Sequence, residues 1–314
     1  MMQQTTGMPR LHKVIFLVLL AFLIALPFFV YPVFAMKVMC FALFAAAFNL
    51  LLGFGGLLSF GHAAYFGGAS YVAAHAAKVW GLTPGLSVLA GTAAAAILGL
   101  LIGSLAIRRQ GIYFAMVTLA FAQMVYFLAL QLPFTGGEDG IQSVPRGDLF
   151  GLISLQNNMA LYFFVLAVTF GGILFLYRVV HSPFGQVLKA IRENEPRAIS
   201  LGYDVNRYKL TVFVLSATFA GMAGAMKSQV FQLASLTDVH WGMSGEVVLM
   251  TLLGGMGTVF GPLAGAAIIV TMQNYLATFG AWVTIIQGVI FVIGVLLFRE
   301  GIVGVISRWI RRPL

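Results

Sequence analysis

Nine acidic side chains, five histidines and one cysteine are all that 314 residues offer for acid–base, nucleophilic or metal chemistry. They are scattered. No His, Cys or carboxylate cluster has metal-ligand spacing. Cys40 stands alone inside an apolar run, so it forms neither an intrachain disulfide nor a CxxC site, and packing is its expected role. The nearest approach to a phosphate-binding loop is Gly221-Met-Ala-Gly-Ala-Met-Lys-Ser228, where Met226 holds the place of the required second glycine. That segment also lies in an apolar run. The chain thus reads as a non-enzyme with no cofactor or nucleotide site of its own. Glu246 is the acid set deepest among apolar residues. Such a group is costly and marks a pathway or gate, unless it caps the amides of a nearby helix start. His62 follows Gly61 at an expected helix start, where its ring could bond a backbone carbonyl or contact a substrate. Asn49, Ser59, Gln123, Gln273 and Asn274 are the remaining polar side chains placed to line a pathway.

The elements that carry these residues are apolar. The chain is 61% hydrophobic and 9% charged, with mean hydropathy +0.98. A water-soluble fold needs about a quarter of its residues charged to cover its surface. The apolar runs are continuous rather than alternating, which excludes a transmembrane β-barrel. Several are long enough to cross a hydrocarbon core of roughly 30 Å as helices. The net charge of +9 is no nucleic-acid signal, because the basic residues sit in loops between apolar runs. Membrane lipid is the expected surrounding.

Ten runs follow one another: 14–35, 36–52, 62–77, 86–107, 112–132, 159–177, 210–229, 242–253, 262–279 and 282–298. Pro27 and Pro32 should kink or end the first. That run also has the layout of a secretory signal, with Val33 and Ala35 as a cleavage site, but a retained helix is the favoured reading. Ten crossings with both termini in the cytoplasm leave only Lys37, Lys78, Arg146 and Lys227 of the 18 basic residues outside. Arg108, Arg109 and the C-terminal Arg299, Arg308, Arg311 and Arg312 then lie inside. Eight or nine crossings stay open, because runs beside the glycine-rich breaks are short. The expected division is a cytoplasmic tail over 1–13, a membrane domain over 14–298 and a basic cytoplasmic tail over 299–314.

Two breaks look alike. One holds Gly53, Gly55, Gly56 and Gly61, the other Gly254, Gly255, Gly257 and Gly261. They are either a short internal repeat or a chance likeness. Their glycines suit close helix packing, or broken helices that expose backbone groups to a ligand.

The loop 181–208 is long for a connection between membrane helices. Val187, Leu188 and Ile191 share one face. Asn194 or Glu195 can cap a second short helix with Pro196 in its first turn, and Gly202 suits a helix C-terminus. Two short helices meeting at Asn194-Glu195-Pro196 make a knob fit for a groove on a soluble partner, or for the lipid surface.

Arg192-Glu193-Asn194, Arg197-Ala198 and Gly202, with Tyr208-Lys209 after them, resemble the coupling loop of the branched-chain amino-acid permeases of ABC importers. Asn49 to Gly67, Ser244 to Met250 and Gly254 to Gly265 are similar to further segments of that family, in the same order. Pro196 departs from the usual run of alanine and polar residues. The resemblance implies an all-α polytopic permease of about ten transmembrane helices in a bacterial cytoplasmic membrane. It implies that Gly185, Ala190, Arg192, Glu193, Asn194, Arg197, Ala198 and Gly202 belong to an ATPase-coupling loop. The implied partners are two cytosolic subunits that bind ATP and Mg, a second related permease and an external amino-acid-binding protein. Hydrophobic amino acids, or an amide or urea, are the implied cargo. The rival readings are an ion-gradient-driven transporter, which needs buried acids paired with cations, and a membrane enzyme, which needs a catalytic cluster.

Overall fold

The computed structural model describes residues 10–149, 153–280, 282–297 and 301–310. Most of the expected N-terminal tail, and Arg299, Arg311 and Arg312, lie outside the described residues. The described chain is helical apart from four two-residue strands.

Helix α1 (Arg10–Ala25) runs into a 3-10 turn and stops before Pro32. Pro32 does not end the first helix; it opens the second, α2 (Pro32–Asn49), because its fixed φ and missing N–H suit a first helical position. Residues 33–35 therefore belong to α2, not to the first run. A π-helical turn (Leu50–Phe54) prolongs α2 into the first glycine break. Beyond it come α3 (His62–Lys78), α4 (Pro84–Ala106), α5 (Ile112–Gln131) and α6 (Asn158–His181). The loop forms α7 (Pro183–Glu193) and α8 (Glu195–Ser200), after which α9 (Val205–Phe231) returns through the bundle. A short α10 (Leu236–Val239) precedes α11 (Trp241–Gly254), α12 (Gly261–Leu276), α13 (Trp282–Leu297) and α14 (Gly301–Ile310). The sequence reading placed only a basic tail where α14 stands.

Among the described residues, six helices are long and apolar enough to cross a membrane: α1, α2, α4, α5, α6 and α9, the first two counted with the short turns that extend them. Helices α3, α11, α12 and α13 fall short of that length.

Helix α2 is apolar all round and is the centre, with Leu43, Phe44, Ala45, Ala47 and Phe48 wholly buried. Around it stand α6, α9, α11 and α12. Leu17 and Val18 on α1, Leu89 and Ile97 on α4 and Met116 on α5 are more than half exposed, as residues facing lipid should be. Lipid gives helices no hydrophobic drive to associate, so close backbone approach supplies the packing. The glycines of the would-be phosphate loop do this work. A Cβ on Gly224 would stand 1.9 Å from the Phe66 carbonyl of α3, and one on Gly221 2.1 Å from Ala95 of α4.

Helices α11 and α12 form a tight antiparallel hairpin. A Cβ on Gly254 would meet the Gly261 carbonyl at 1.9 Å, and one on Gly265 the Met250 carbonyl at 1.8 Å. The buried start of α3 is capped by other helices, since Gly61 has no side chain to do it. Ser244 Oγ of α11 accepts from Ala63 N at 2.9 Å, and Thr118 Oγ1 of α5 accepts from Phe60 N at 3.1 Å.

Strand β1 (Ile141–Gln142) pairs antiparallel with β4 (Leu233–Ala234), and β2 (Asp148–Leu149) with β3 (Ile153–Ser154). These strands cover the end of the bundle away from α7 and α8. There Arg146 donates to Gln229 O at 3.1 Å, to Val230 O and to Asn158 Oδ1 at 2.9 Å, tying the end of α9 to the start of α6.

Candidate functional site

The elbow of α7 and α8 is built as its sequence dictates. Pro183 opens α7 while Ser182 Oγ accepts from Gly185 N at 3.4 Å. Gly185 is required for space: a Cβ there would lie 2.2 Å from Val180 O. Asn194 ends α7 and caps α8, its Oδ1 accepting from Arg197 N at 3.0 Å. Gly202 has φ +86°, and its N–H returns to Ile199 O at 2.9 Å. Ile191, Ala198 and Val205 form a small core of their own, with Val187 and Tyr208 against it. Lys209 Nζ joins Glu195 Oε1 at 2.8 Å, and Gln110 Nε2 of the α4–α5 loop donates to the same oxygen at 3.3 Å.

The residues expected to form the coupling loop divide into two groups. Gly185 and Ala198 are buried and shape the elbow, while Ala190, Arg192, Glu193, Asn194, Arg197 and Gly202 are exposed. Ile199 and Leu201 are also exposed, at 57% and 70%, and give the tip an apolar contact that the sequence reading missed. Lys189 lies 5.4 Å from the Phe54 ring centre, and burial holds its ammonium below the usual lysine range.

Both glycine breaks converge on this elbow. Arg192 Nη1 donates to the Gly53 carbonyl, and its stem packs on Gly56, whose φ is +70°. Asn49, 2% exposed, binds the second break with both ends of its amide. Its Nδ2 donates to Thr258 O at 2.8 Å, and its Oδ1 accepts from Gly257 N at 2.9 Å. A Cβ on Gly53 would lie 2.6 Å from Gly257 N, so the breaks touch backbone to backbone. A cavity of about 460 Å³ opens beside them, lined by Leu52, Gly56, Gln110, Arg192, Glu195 and Lys209.

The other polar candidates serve different ends. His62 is wholly buried, and its Nε2 lies 2.8 Å from Ser216 Oγ. Ser216 spends its hydroxyl proton on Ala47 O at 2.6 Å, so Nε2 carries the hydrogen and donates. The ring thus bonds a hydroxyl of α9 in place of the expected backbone carbonyl, and the Ser59 backbone of the first break stands beside it. Ser59 is buried and accepts from Gly61 N at 3.1 Å, closing the first break. Gln123 is partly exposed on α5, apart from the others. Asn274 is exposed on α12, and it is the preceding Gln273 that stands beside Glu246. Glu246 lies in the second turn of α11, beyond the reach of a cap. Lys227, placed on the outer side in the ten-crossing scheme, forms an ion pair with Asp238, which is 1% exposed.

Residues 32–295 match the family described as branched-chain amino acid transport system / permease component. The chain belongs to that family. It is 30% identical over 237 residues to the high-affinity branched-chain amino acid transport system permease protein LivM of Escherichia coli (strain K12), and 29% identical over 237 residues to that of Salmonella typhimurium. Each alignment covers 68% of this chain and 56% of the relative, so the chain spans little more than half the length of those proteins. The ribose import permease protein RbsC of Bacillus subtilis is 30% identical over 57% of this chain and 58% of its own. No solved structure matches. The protein is a multi-pass membrane protein of a permease family whose members are named for amino acids and for sugars.

Proposed function

We propose that this chain is the membrane-spanning subunit of an ATP-driven importer for branched-chain or related hydrophobic amino acids, in a bacterial cytoplasmic membrane. The observation that carries the reading is the junction at Arg192, where an exposed helical elbow bonds the first glycine break and Asn49 clasps the second break beside it. An elbow with a free polar and apolar tip suits a groove on an ATPase. Arg192 and Asn49 then carry its movement to α2, α11 and α12. Two cytosolic subunits would bind the ATP and Mg, a second related permease would complete the surface they need, and an external binding protein would deliver the amino acid.

The reading takes α3, α11, α12 and α13 as crossings too, ten in all with both ends cytoplasmic. At 1.5 Å per residue they are roughly 21 to 26 Å long, short of a core of about 30 Å. Non-helical backbone at membrane depth is tolerated where protein buries it, and Gly53, Gly55, Ser59 and Gly61 of the first break and Gly254, Gly255 and Gly261 of the second are so buried.

Co-purification tests the proposal: the protein should bring down an ATPase pair. Replacing Glu193 or Gly202 should separate ATP hydrolysis from uptake while membrane abundance stays the same. Uptake that ignores vanadate but stops with an uncoupler would sink the reading in favour of an ion-driven carrier.

A further inference from the structure

At the end of the bundle opposite the elbow, four charges stand that coupling does not use. Lys37 lies in the second turn of α2, Lys227 in the last turns of α9, Asp238 on α10 and Glu246 in the second turn of α11. With Gln273 of α12, the helix-borne members lie roughly 4 to 8 Å in from their helix ends at 1.5 Å per residue.

Lys227 and Asp238 satisfy each other, and Lys227 also lies 5.9 Å and 5.8 Å from the ring centres of Phe66 and Phe231. Buried Asp238 keeps its second oxygen, Oδ2, without a hydrogen bond. Lys37 and Glu246 differ from that pair. Each is within electrostatic reach of the other and of Lys227 and Asp238, and Gln273 stands beside Glu246. Yet Lys37 and Glu246 form no ion pair among the described residues. Both are partly exposed, above a buried floor. A cation and an anion held apart at membrane depth are costly unless something of opposite charge comes to each.

We propose that Lys37 and Glu246 form a subsite for the zwitterionic head of an α-amino acid, Lys37 taking its carboxylate and Glu246 its ammonium. The Lys227–Asp238 pair is the fixed floor, and Gln273 flanks Glu246. This rests on the importer reading above and sharpens it. Relatives are named for ribose as well as for branched-chain amino acids. A neutral sugar offers hydroxyl hydrogen bonds but no opposite charge to either group, so this cluster favours the amino acid.

The test uses the co-purified complex in liposomes, with ATP-driven uptake of labelled leucine as the readout. The competitors are leucine amide, which lacks the negative charge, and 4-methylpentanoate, which lacks the positive one. Lys37→Met and Glu246→Gln should each lower leucine uptake by about tenfold or more, the scale of one lost charge-assisted contact. Lys37→Met should also lose discrimination against leucine amide alone, and Glu246→Gln discrimination against 4-methylpentanoate alone. A residue that merely supports the fold would not produce that crossed pattern. If the neutral variants do not reach the membrane, Lys37→Arg and Glu246→Asp replace them. A raised KM for leucine at unchanged maximal rate is then expected, and an unchanged KM overturns the subsite. Neutral variants that keep wild-type uptake and selectivity overturn the subsite and leave the importer standing. A wild-type complex that carries ribose and no amino acid overturns both.

Discussion

Asn49 is the residue on which the two breaks rest. Its side chain is buried and fully used. Asn49→Ala leaves a buried amide and a carbonyl without partners, so a loss of about 1 to 3 kcal/mol is expected, read as a lower unfolding temperature in detergent. Arg192→Ala should behave differently. The guanidinium is exposed, so folding should survive while ATP-driven uptake falls by about tenfold, the scale of a lost charge-assisted bond. Membrane abundance and uptake measured together separate these outcomes. Residue roles were legible only where they are local. The Asn194 cap and the left-handed Gly202 follow from neighbours in the chain. Asn49 was named as a pathway residue because nothing nearby in sequence foretells that it clasps residues some two hundred positions away. Lys37 and Lys227 were placed on the external side at the ends of the runs 36–52 and 210–229, but run boundaries blur by a turn or two, and a turn decides whether a charge is free or set in the bundle.

Among the elements, the α7–α8 elbow was the most legible part of the chain. Its helices are short, amphipathic and set by caps, and no distant contact is needed to define them. Asn194→Ala should cost about 1 kcal/mol of elbow stability, seen as faster hydrogen exchange in α8 than in α9. The α11–α12 hairpin was read only as two runs beside a break. That they lie back to back comes from close approach of backbones, which composition hints at but cannot pair. Gly265→Ala puts a carbon 1.8 Å from the Met250 carbonyl, so the helices must part. A loss of about 1 to 3 kcal/mol is expected, measured as a drop in folded yield and thermal stability. Helix α14 escaped notice because its apolar face follows a basic, glycine-containing stretch, yet Gly301 sits directly against Gly255 and Val303 is buried.

For the molecule as a whole, membrane residence followed from composition alone, since so few charges cannot solvate a surface. The family followed from three separated motifs in order, and the match over residues 32–295 agrees. The crossing count was less legible, because helices interrupted by glycine are shorter than the bilayer they serve. Single-cysteine labelling addresses it directly. Native Cys40 is wholly buried and should stay silent. Glu193→Cys should react only with a reagent that reaches the cytoplasm, and Glu138→Cys with an impermeant reagent applied to intact cells; reversal of the two would overturn the orientation. The clasp at Asn49 has one more consequence. Because the Asn49 amide ties the end of α2 to the α11–α12 break beside Arg192, and α2 already packs on both helices, neither part has a stroke of its own. The two should swing as one rocker about a shared pivot, and solute should pass in whole quanta per cycle, without a leak through a half-turned gate.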